Sequence, residues 1–121
     1  MMALKYFGRS NWENMAFYLI EKNLNGSEIV YRRDIFSNND LYYFSDEFGP
    51  LLGHKKKPIH PEETLQRTIQ NLRDKGFLNF LGQGEYQLTT QGRSQLKNDK
   101  YIKFRILFDI LKTKSAQDSK I

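Results

Sequence analysis

The sequence contains no cysteine, and this absence excludes several kinds of chemistry at once. Disulfide bonds, thiolate nucleophiles and zinc sites with cysteine ligands all need the missing residue. Stability must therefore come from packing, for which the 9 Phe, 7 Tyr and 1 Trp provide large apolar side chains.

Long apolar runs are absent, and acidic residues are fewer than basic ones. No run approaches the ~18 residues that span a bilayer, and residues 1–8 contain no apolar segment of the signal-peptide kind. We therefore expect a cytoplasmic protein with no membrane partner. The 14 Asp and Glu are outnumbered by 19 Lys and Arg, which gives a formal net charge of +5. A length of 121 residues supports a single domain, residues 1–121.

Motifs for catalysis are also missing. A nuclease needs carboxylates grouped around a metal and usually a nearby Lys; Asp46 and Glu47 lie in an irregular segment, and residues 85–87 lack that Lys. We find no serine elbow, P-loop or zinc motif. His54 and His60 have no carboxylates at ligand spacing, so we interpret them as a loop residue and a helix-start residue. We expect no enzymatic activity, no cofactor and no metal.

The first periodic segment indicates an amphipathic helix. Ser10 and Glu13 have the spacing of a capping box, in which each side chain satisfies a free backbone N–H of the other residue. Residues 28–32 are compatible with a brief strand that leads into a second helix through residues 34–36. The apolar stripe of the first helix comprises Trp12, Met15, Ala16, Leu19 and Ile20.

Between residues 37 and 60 we find no helical period, and Asn, Asp, Gly and Pro are frequent. We expect an elaborated loop with room for a short helix. The segment contains a basic run, Lys55 to Lys57, and an aromatic cluster, which we define as Tyr42, Tyr43 and Phe44.

A second strong helix is predicted for about residues 61–75. Pro61 suits the first turn because it has no N–H to leave unpaired, and Gly76 suits the position after the last turn. The buried side of this helix comprises Leu65, Ile69 and Leu72.

A hairpin and a last helix complete the chain. Apolar and polar residues alternate on both sides of the turn at residues 82–84, which predicts a hairpin at about residues 77–89. We predict a C-terminal helix at about residues 100–113 and a disordered tail at residues 114–121.

A helix followed at once by a glycine-containing hairpin, in a small basic chain, is typical of a winged helix-turn-helix domain. The predicted fold is α+β, with an N-terminal helix, a long insertion loop, a recognition helix, a β-hairpin wing and a C-terminal helix. Arg67, Gln70 and Asn71 face outward and have the paired donors and acceptors that read guanine or adenine edges in the major groove. These residue types are equally ordinary on a solvated helix face, but the hairpin and the positive charge favour DNA.

A second set of residues is predicted to contact the DNA backbone or to lie in the wing. Cationic side chains supply non-specific affinity for phosphates, and the start of a helix offers free N–H groups to them. Simpler interpretations remain open, because Lys runs are usually solvated and Gly-X-Gly is a common turn. The aromatic cluster could stack on a base, although pinning the loop to the core is the commoner role. The predicted contacts are Thr64, Lys55, Lys56, Lys57, Lys75 and Gln83.

Three short stretches carry a resemblance: Leu65-Gln66, the run from Leu72 to Phe77, and Gly84-Glu85-Tyr86. Because of these three stretches, residues 59–89 resemble the winged-helix module of several restriction endonucleases, notably the C-terminal domain of DpnI-type, methyl-directed enzymes. The resemblance implies sequence-specific binding of double-stranded DNA and sensitivity to adenine methylation. It does not extend to cleavage, because those enzymes carry a separate nuclease domain for which this chain has no room.

Residues 88–93, Leu-Thr-Thr-Gln-Gly-Arg, resemble the step that leaves the wing in MarR-like and PadR-like transcriptional regulators. Those regulators commonly dimerise through a terminal helix, so the apolar C-terminal helix predicts a homodimer, with packing on the first helix as the alternative. We predict a transcriptional regulator or a DNA-recognition protein connected with restriction–modification; the alternative is an adaptor that binds protein and not DNA. Arg73 and Asp74 are assigned to structure, with a cationic partner for Asp74.

Overall fold

The computed structural model describes residues 10–118. Within them, the strands form one antiparallel sheet in the order β1-β3-β2, and the α+β winged-helix fold predicted from the sequence is confirmed. The elements in chain order are α1 (Asn11–Asn23), β1 (Ile29–Tyr31), α2 (Arg32–Phe36), α3 (Asn39–Tyr43), a π-helical turn (Phe44–Phe48), α4 (Gly49–Leu51), α5 (Pro61–Asp74), β2 (Leu78–Gly82), β3 (Glu85–Leu88), α6 (Thr90–Gln95) and α7 (Asp99–Asp118).

Helix α1 lies at the centre of the domain. Ser10 caps it, with its Oγ accepting a hydrogen bond of 3.0 Å from the N–H of Glu13. In the described part of the chain, the reciprocal half of the predicted capping box is not formed, because the Glu13 carboxylate pairs with Lys75 instead. Phe17 and Tyr18, which lie off the predicted apolar stripe, are buried together with the stripe from Met15 to Ile20, while Trp12 is half-buried. Helices α5, α7, α2 and α3 all pack against α1. The first helix is therefore buried along most of its circumference and is not a surface helix with one buried side.

The segment expected to be a long irregular loop, residues 37–60, is helical over residues 39–51, and residues 37–38 and 52–60 are irregular. Its apolar residues follow one another at intervals of three, four and four positions, which is a helical period that the surrounding Asn, Asp, Gly and Pro obscured. This row packs into the core and comprises Leu41, Phe44, Phe48 and Leu52.

Two members of the aromatic cluster pin this segment to the core. The ring of Phe44 meets that of Trp12 edge-on with 4.9 Å between centroids, and the ring of Tyr43 lies 5.4 Å from that of Phe108. Tyr42 instead remains exposed, and its hydroxyl donates a hydrogen bond of 2.6 Å to Oε2 of Glu62. The pinning interpretation therefore holds for Phe44 and Tyr43.

The segment that follows the wing, residues 88–93, anchors the hairpin to the elements around it. Thr89 Oγ1 accepts a hydrogen bond of 3.0 Å from the Gly92 N–H and donates one of 2.7 Å to the Gly76 carbonyl. The guanidinium of Arg93 makes a two-pronged ion pair with the carboxylate of Glu28 at the start of β1. The Leu-Thr-x-x-Gly-Arg stretch therefore has a structural role in this chain.

Helix α7 is longer than expected. It continues to Asp118, so residues 114–118 are helical and not part of a disordered tail, and residues 119–121 lie outside the described residues. Between residues 112 and 118 the sequence has neither Gly nor Pro to end the helix. One side of α7 buries Tyr101, Phe104 and Phe108, while Ile106 and Ile110 remain 51% and 59% exposed on another side. No helix within residues 10–118 is long and apolar enough to cross a membrane.

Candidate nucleic-acid interface

The outward side of α5 carries polar side chains that the rest of the domain leaves free. Leu65, Ile69 and Leu72 face the core, as predicted, which turns Arg67 and Asn71 into solvent and leaves Gln70 half-buried. Residues three and four positions apart are neighbours on a helix surface, so Arg67, Gln70 and Asn71 lie together. Within residues 10–118, no hydrogen-bond or ion-pair partner occupies their side chains.

The basic run lies in the irregular segment that leads directly into α5. Lys55, Lys56 and Lys57 are exposed, and their ammonium groups have no carboxylate partner in the described part of the chain. Ile59, two residues further on, is 89% exposed. Thr64 is half-buried in the second turn of α5, where its carbonyl accepts a hydrogen bond of 2.8 Å from the hydroxyl of Thr68.

The remaining predicted contacts lie at the wing tip and at the other end of α5. Gln83 occupies the wing tip with a φ of 53°, between Gly82 and Gly84 at 87° and 74°, so three consecutive left-handed residues turn the chain. Lys75 places its Nζ 2.6 Å from Oε2 of Glu13, which is only 8% exposed. Because a nearly buried carboxylate needs a partner, this ion pair ties α5 to α1.

Arg32, which no sequence motif indicated, joins α5 to the wing. Its backbone N–H donates a hydrogen bond of 2.8 Å to the Gly84 carbonyl. Its guanidinium lies 4.2 Å from the ring centroid of Phe36, 3.3 Å from the hydroxyl of Tyr86 and in hydrogen-bonding contact with Oε1 of Gln66. The signal available in the sequence was the Arg-Arg pair at the end of the short predicted strand, residues 28–32.

Two open clefts meet at Arg32 and form one concave surface beside α5. The first, of about 440 Å³, lies between the start of α2 and the wing tip and is lined by residues 31–33, 36–37 and 83–84. The second, of about 420 Å³, lies along the first two turns of α5 and is lined by Arg32 and residues 62–63 and 66–67. The surface therefore runs from the wing tip to the predicted base-contacting residues.

Carboxylates also border this surface. The hydrogen bond from Tyr42 holds the pKa of Glu62 below its usual value and raises the pKa of Tyr42, so Glu62 is a fixed anion. At the far end of α5, Arg73 Nε lies 3.3 Å from Asp74 Oδ1 and its guanidinium lies 4.6 Å from the ring of Phe80 in the wing. The predicted cationic partner of Asp74 is thus Arg73, and Arg73 also links the end of α5 to the wing through the ring of Phe80.

The two histidines have separate environments. His54 Nε2 lies 3.1 Å from the Nδ2 of Asn11, and burial lowers the pKa of His54 below its ordinary value. His60 is exposed directly before α5. Within the described residues, no group of three or more His, Asp or Glu side chains is arranged to hold a metal ion.

A helix that precedes a hairpin wing, with a polar outward side and a concave surface beside it, defines a winged helix-turn-helix domain, a class whose common ligand is DNA. The family described as the Dam-replacing HTH domain matches residues 28–88, half of the chain. The chain belongs to this family, which confirms the resemblance to the DpnI-type C-terminal domain. The match includes β1, α5 and the wing. No match was found among curated proteins or solved structures.

Proposed function

We propose that this protein binds double-stranded DNA sequence-specifically, with α5 in the major groove. The observation that carries the proposal is the group of three adjacent side chains, Arg67, Gln70 and Asn71, whose hydrogen-bonding atoms have no partner in the described part of the chain. Each can make two parallel hydrogen bonds to a purine edge, so together they can read two or three base pairs.

Backbone contacts in this proposal come from the margins of α5. Lys55, Lys56 and Lys57 precede its first turn and would neutralise phosphates on one side of the groove. Thr64 and the wing residue Gln83 would contact the backbone on the same surface. Lys75 is assigned to the fold, since its ammonium already pairs with Glu13.

Fluorescence-anisotropy titration at several salt concentrations tests these assignments. A triple Lys→Ala variant of Lys55, Lys56 and Lys57 should reduce the slope of log affinity against log salt by about 3, because each released counterion contributes about 0.9. Arg67→Ala should weaken binding to the preferred duplex by about 1–3 kcal/mol and relax the base preference at one position of the site. Lys97→Ala is the control for Arg67→Ala, because it also removes one positive charge but lies in the turn between α6 and α7. It should leave the sequence preference unchanged.

We further propose that this DNA binding serves either transcriptional regulation or recognition in a restriction–modification system. The family membership supports the second use, and the stretch from residue 88 to residue 93 supports the first by resemblance. Duplexes with and without N6-methyladenine in GATC, compared with random sequence, distinguish them. A preference of ~10³-fold or more that follows methylation favours restriction–modification, whereas one that follows sequence alone favours a regulator.

A homodimer through α7 is part of the same proposal. Ile106 and Ile110 are separated by one turn and leave an apolar strip in water on the side of α7 away from the core. Pairing with the same strip of a second copy would cover it and would place two recognition helices on one duplex. If α7 captures a different protein and α5 binds no duplex at low salt, the adaptor function replaces this proposal.

The proposal assigns no catalytic step to the chain. Incubation of supercoiled plasmid with a large excess of the protein and Mg²⁺ should leave the plasmid intact. Nicking or linearisation that requires Mg²⁺ would contradict this assignment.

A further inference from the structure

Gln66 has a side-chain amide whose orientation the structure fixes. The residue lies one position before Arg67 and lines the cleft along the first two turns of α5. Its Oε1 faces the guanidinium of Arg32. Because a guanidinium only donates hydrogen bonds, the oxygen end of the amide must point at Arg32, and the nitrogen end is left for a ligand.

Arg32 is itself held from several sides, so it cannot easily turn away from Gln66. Its backbone is bonded to Gly84 in the wing turn, and its guanidinium contacts the hydroxyl of Tyr86 and the ring of Phe36. The position of the Gln66 amide therefore depends on the β1–β3 pairing, which brings Arg32 beside the wing.

We propose that Arg32 makes Gln66 a donor-only reader that selects guanine at one base pair of the DNA site. This inference rests on the proposed DNA binding by α5. A free Gln recognises adenine by accepting from N6 and donating to N7, and for this it needs its oxygen. The oxygen is held against the guanidinium of Arg32, so the end of the amide that points away from Arg32, towards a base, carries the two N–H donors. Guanine presents two adjacent acceptors, O6 and N7, whereas adenine presents one acceptor beside a donor and cytosine presents a donor.

The experiment is a selection of bound sequences from a randomised duplex library, followed by anisotropy titrations on duplexes that differ at one base pair. The proteins are the full chain and the variants Arg32→Leu, Gln66→Met and Arg33→Leu. Arg33→Leu is the matched control, because it removes one positive charge from the residue next to Arg32. The guanidinium of Arg33 lies over the ring of Tyr31 and beside Asp34, away from Gln66.

The wild-type protein should prefer guanine to adenine at one position by about tenfold or more. Arg32→Leu should reduce this preference to about twofold or less at that position alone, since the freed amide can rotate and accept from adenine. Gln66→Met should abolish the preference at the same position. Arg33→Leu should lower the affinity for all duplexes to a similar extent and leave the selected sequence unchanged. Thermal unfolding of each variant establishes that the fold is retained.

The outcomes separate this inference from the function on which it rests. If the wild-type protein enriches no sequence and binds no duplex, the proposed DNA-binding function fails. If it binds selectively and Gln66→Met keeps the wild-type preference at every position, the donor-only role is wrong even where Arg32→Leu does not fold. If Arg32→Leu and Arg33→Leu behave alike, Arg32 is only a phosphate contact or a fold residue.

Discussion

Gly92 allows helix α6 to pack directly against the residue that begins the wing. A Cβ built at this position would lie 2.2 Å from the Phe77 carbonyl oxygen and 2.7 Å from a methyl carbon of Leu88. The first neighbour is backbone, so a change of side-chain rotamer cannot relieve the overlap. We predict that Gly92→Ala is strongly destabilising.

The size of this loss in stability can be worked out from the displacement of α6 away from Phe77 that the added methyl group requires. Overpacking a dense site by one methyl group costs about 1–3 kcal/mol. Separation of α6 from Phe77 also weakens two hydrogen bonds of Thr89, to the Gly92 N–H and to the Gly76 carbonyl, at about 1 kcal/mol each. The expected loss in the free energy of unfolding is about 3–5 kcal/mol, a large part of the stability of a small domain.

Urea unfolding followed by circular dichroism measures this loss, and a thermal scan should show a decrease in Tm of roughly 10 °C or more. Gly26→Ala is the matched control: a Cβ there meets no atom within 4 Å, so the same substitution should change stability by less than about 1 kcal/mol. A loss below about 1 kcal/mol for Gly92→Ala would refute the account of how the wing is anchored.

Three further predictions concern other parts of the domain. Burial alone would raise the pKa of Asp40, but hydrogen bonds from Lys112 and Lys22 outweigh it and hold the pKa below its usual value. Urea unfolding should show that Asp40→Asn costs about 1–3 kcal/mol at pH 7, because both hydrogen bonds lose their charged acceptor. The stability of the wild-type protein should fall as pH decreases through the folded-state pKa of Asp40. Burial lowers the pKa of His54, so the unfolded chain binds more protons than the folded protein below pH ~6.5, and stability should fall as pH decreases from 7 to 5. His54→Gln should flatten this pH profile; an unchanged profile would mean that other groups cause the pH dependence. Ile106→Glu should convert a dimer to a monomer in light scattering, whereas a monomeric wild-type protein would exclude the α7 interface.

Local sequence signals predicted much of the architecture. Pro61 and the turn at residues 82–84 mark element boundaries that depend on few neighbours, and α5 and the wing lie where they were expected. The helical nature of residues 39–51 depends on burial of widely spaced apolar residues, so turn-forming residues between them concealed it. Local propensity is a weak guide where tertiary packing decides the structure.

The candidate site was predictable only where it lies on one helix. Arg67, Gln70 and Asn71 follow from the period of α5 alone. Arg32 and Gln66 are 34 residues apart and meet only because β1 pairs with β3, which no local pattern encodes. The ion pair between Lys75 and Glu13 spans 62 residues, so a helix-period argument could place Lys75 near the surface but could not identify its partner.

The most direct test of the central claim is an amide chemical-shift titration of the ¹⁵N-labelled protein with the selected duplex. If α5 reads DNA, the largest shifts should lie in residues 62–74 of α5, in residues 55–57 and at the wing tip around Gln83, with α7 little affected. Shifts concentrated on the exposed side of α7, with α5 unchanged, would contradict DNA recognition by this helix.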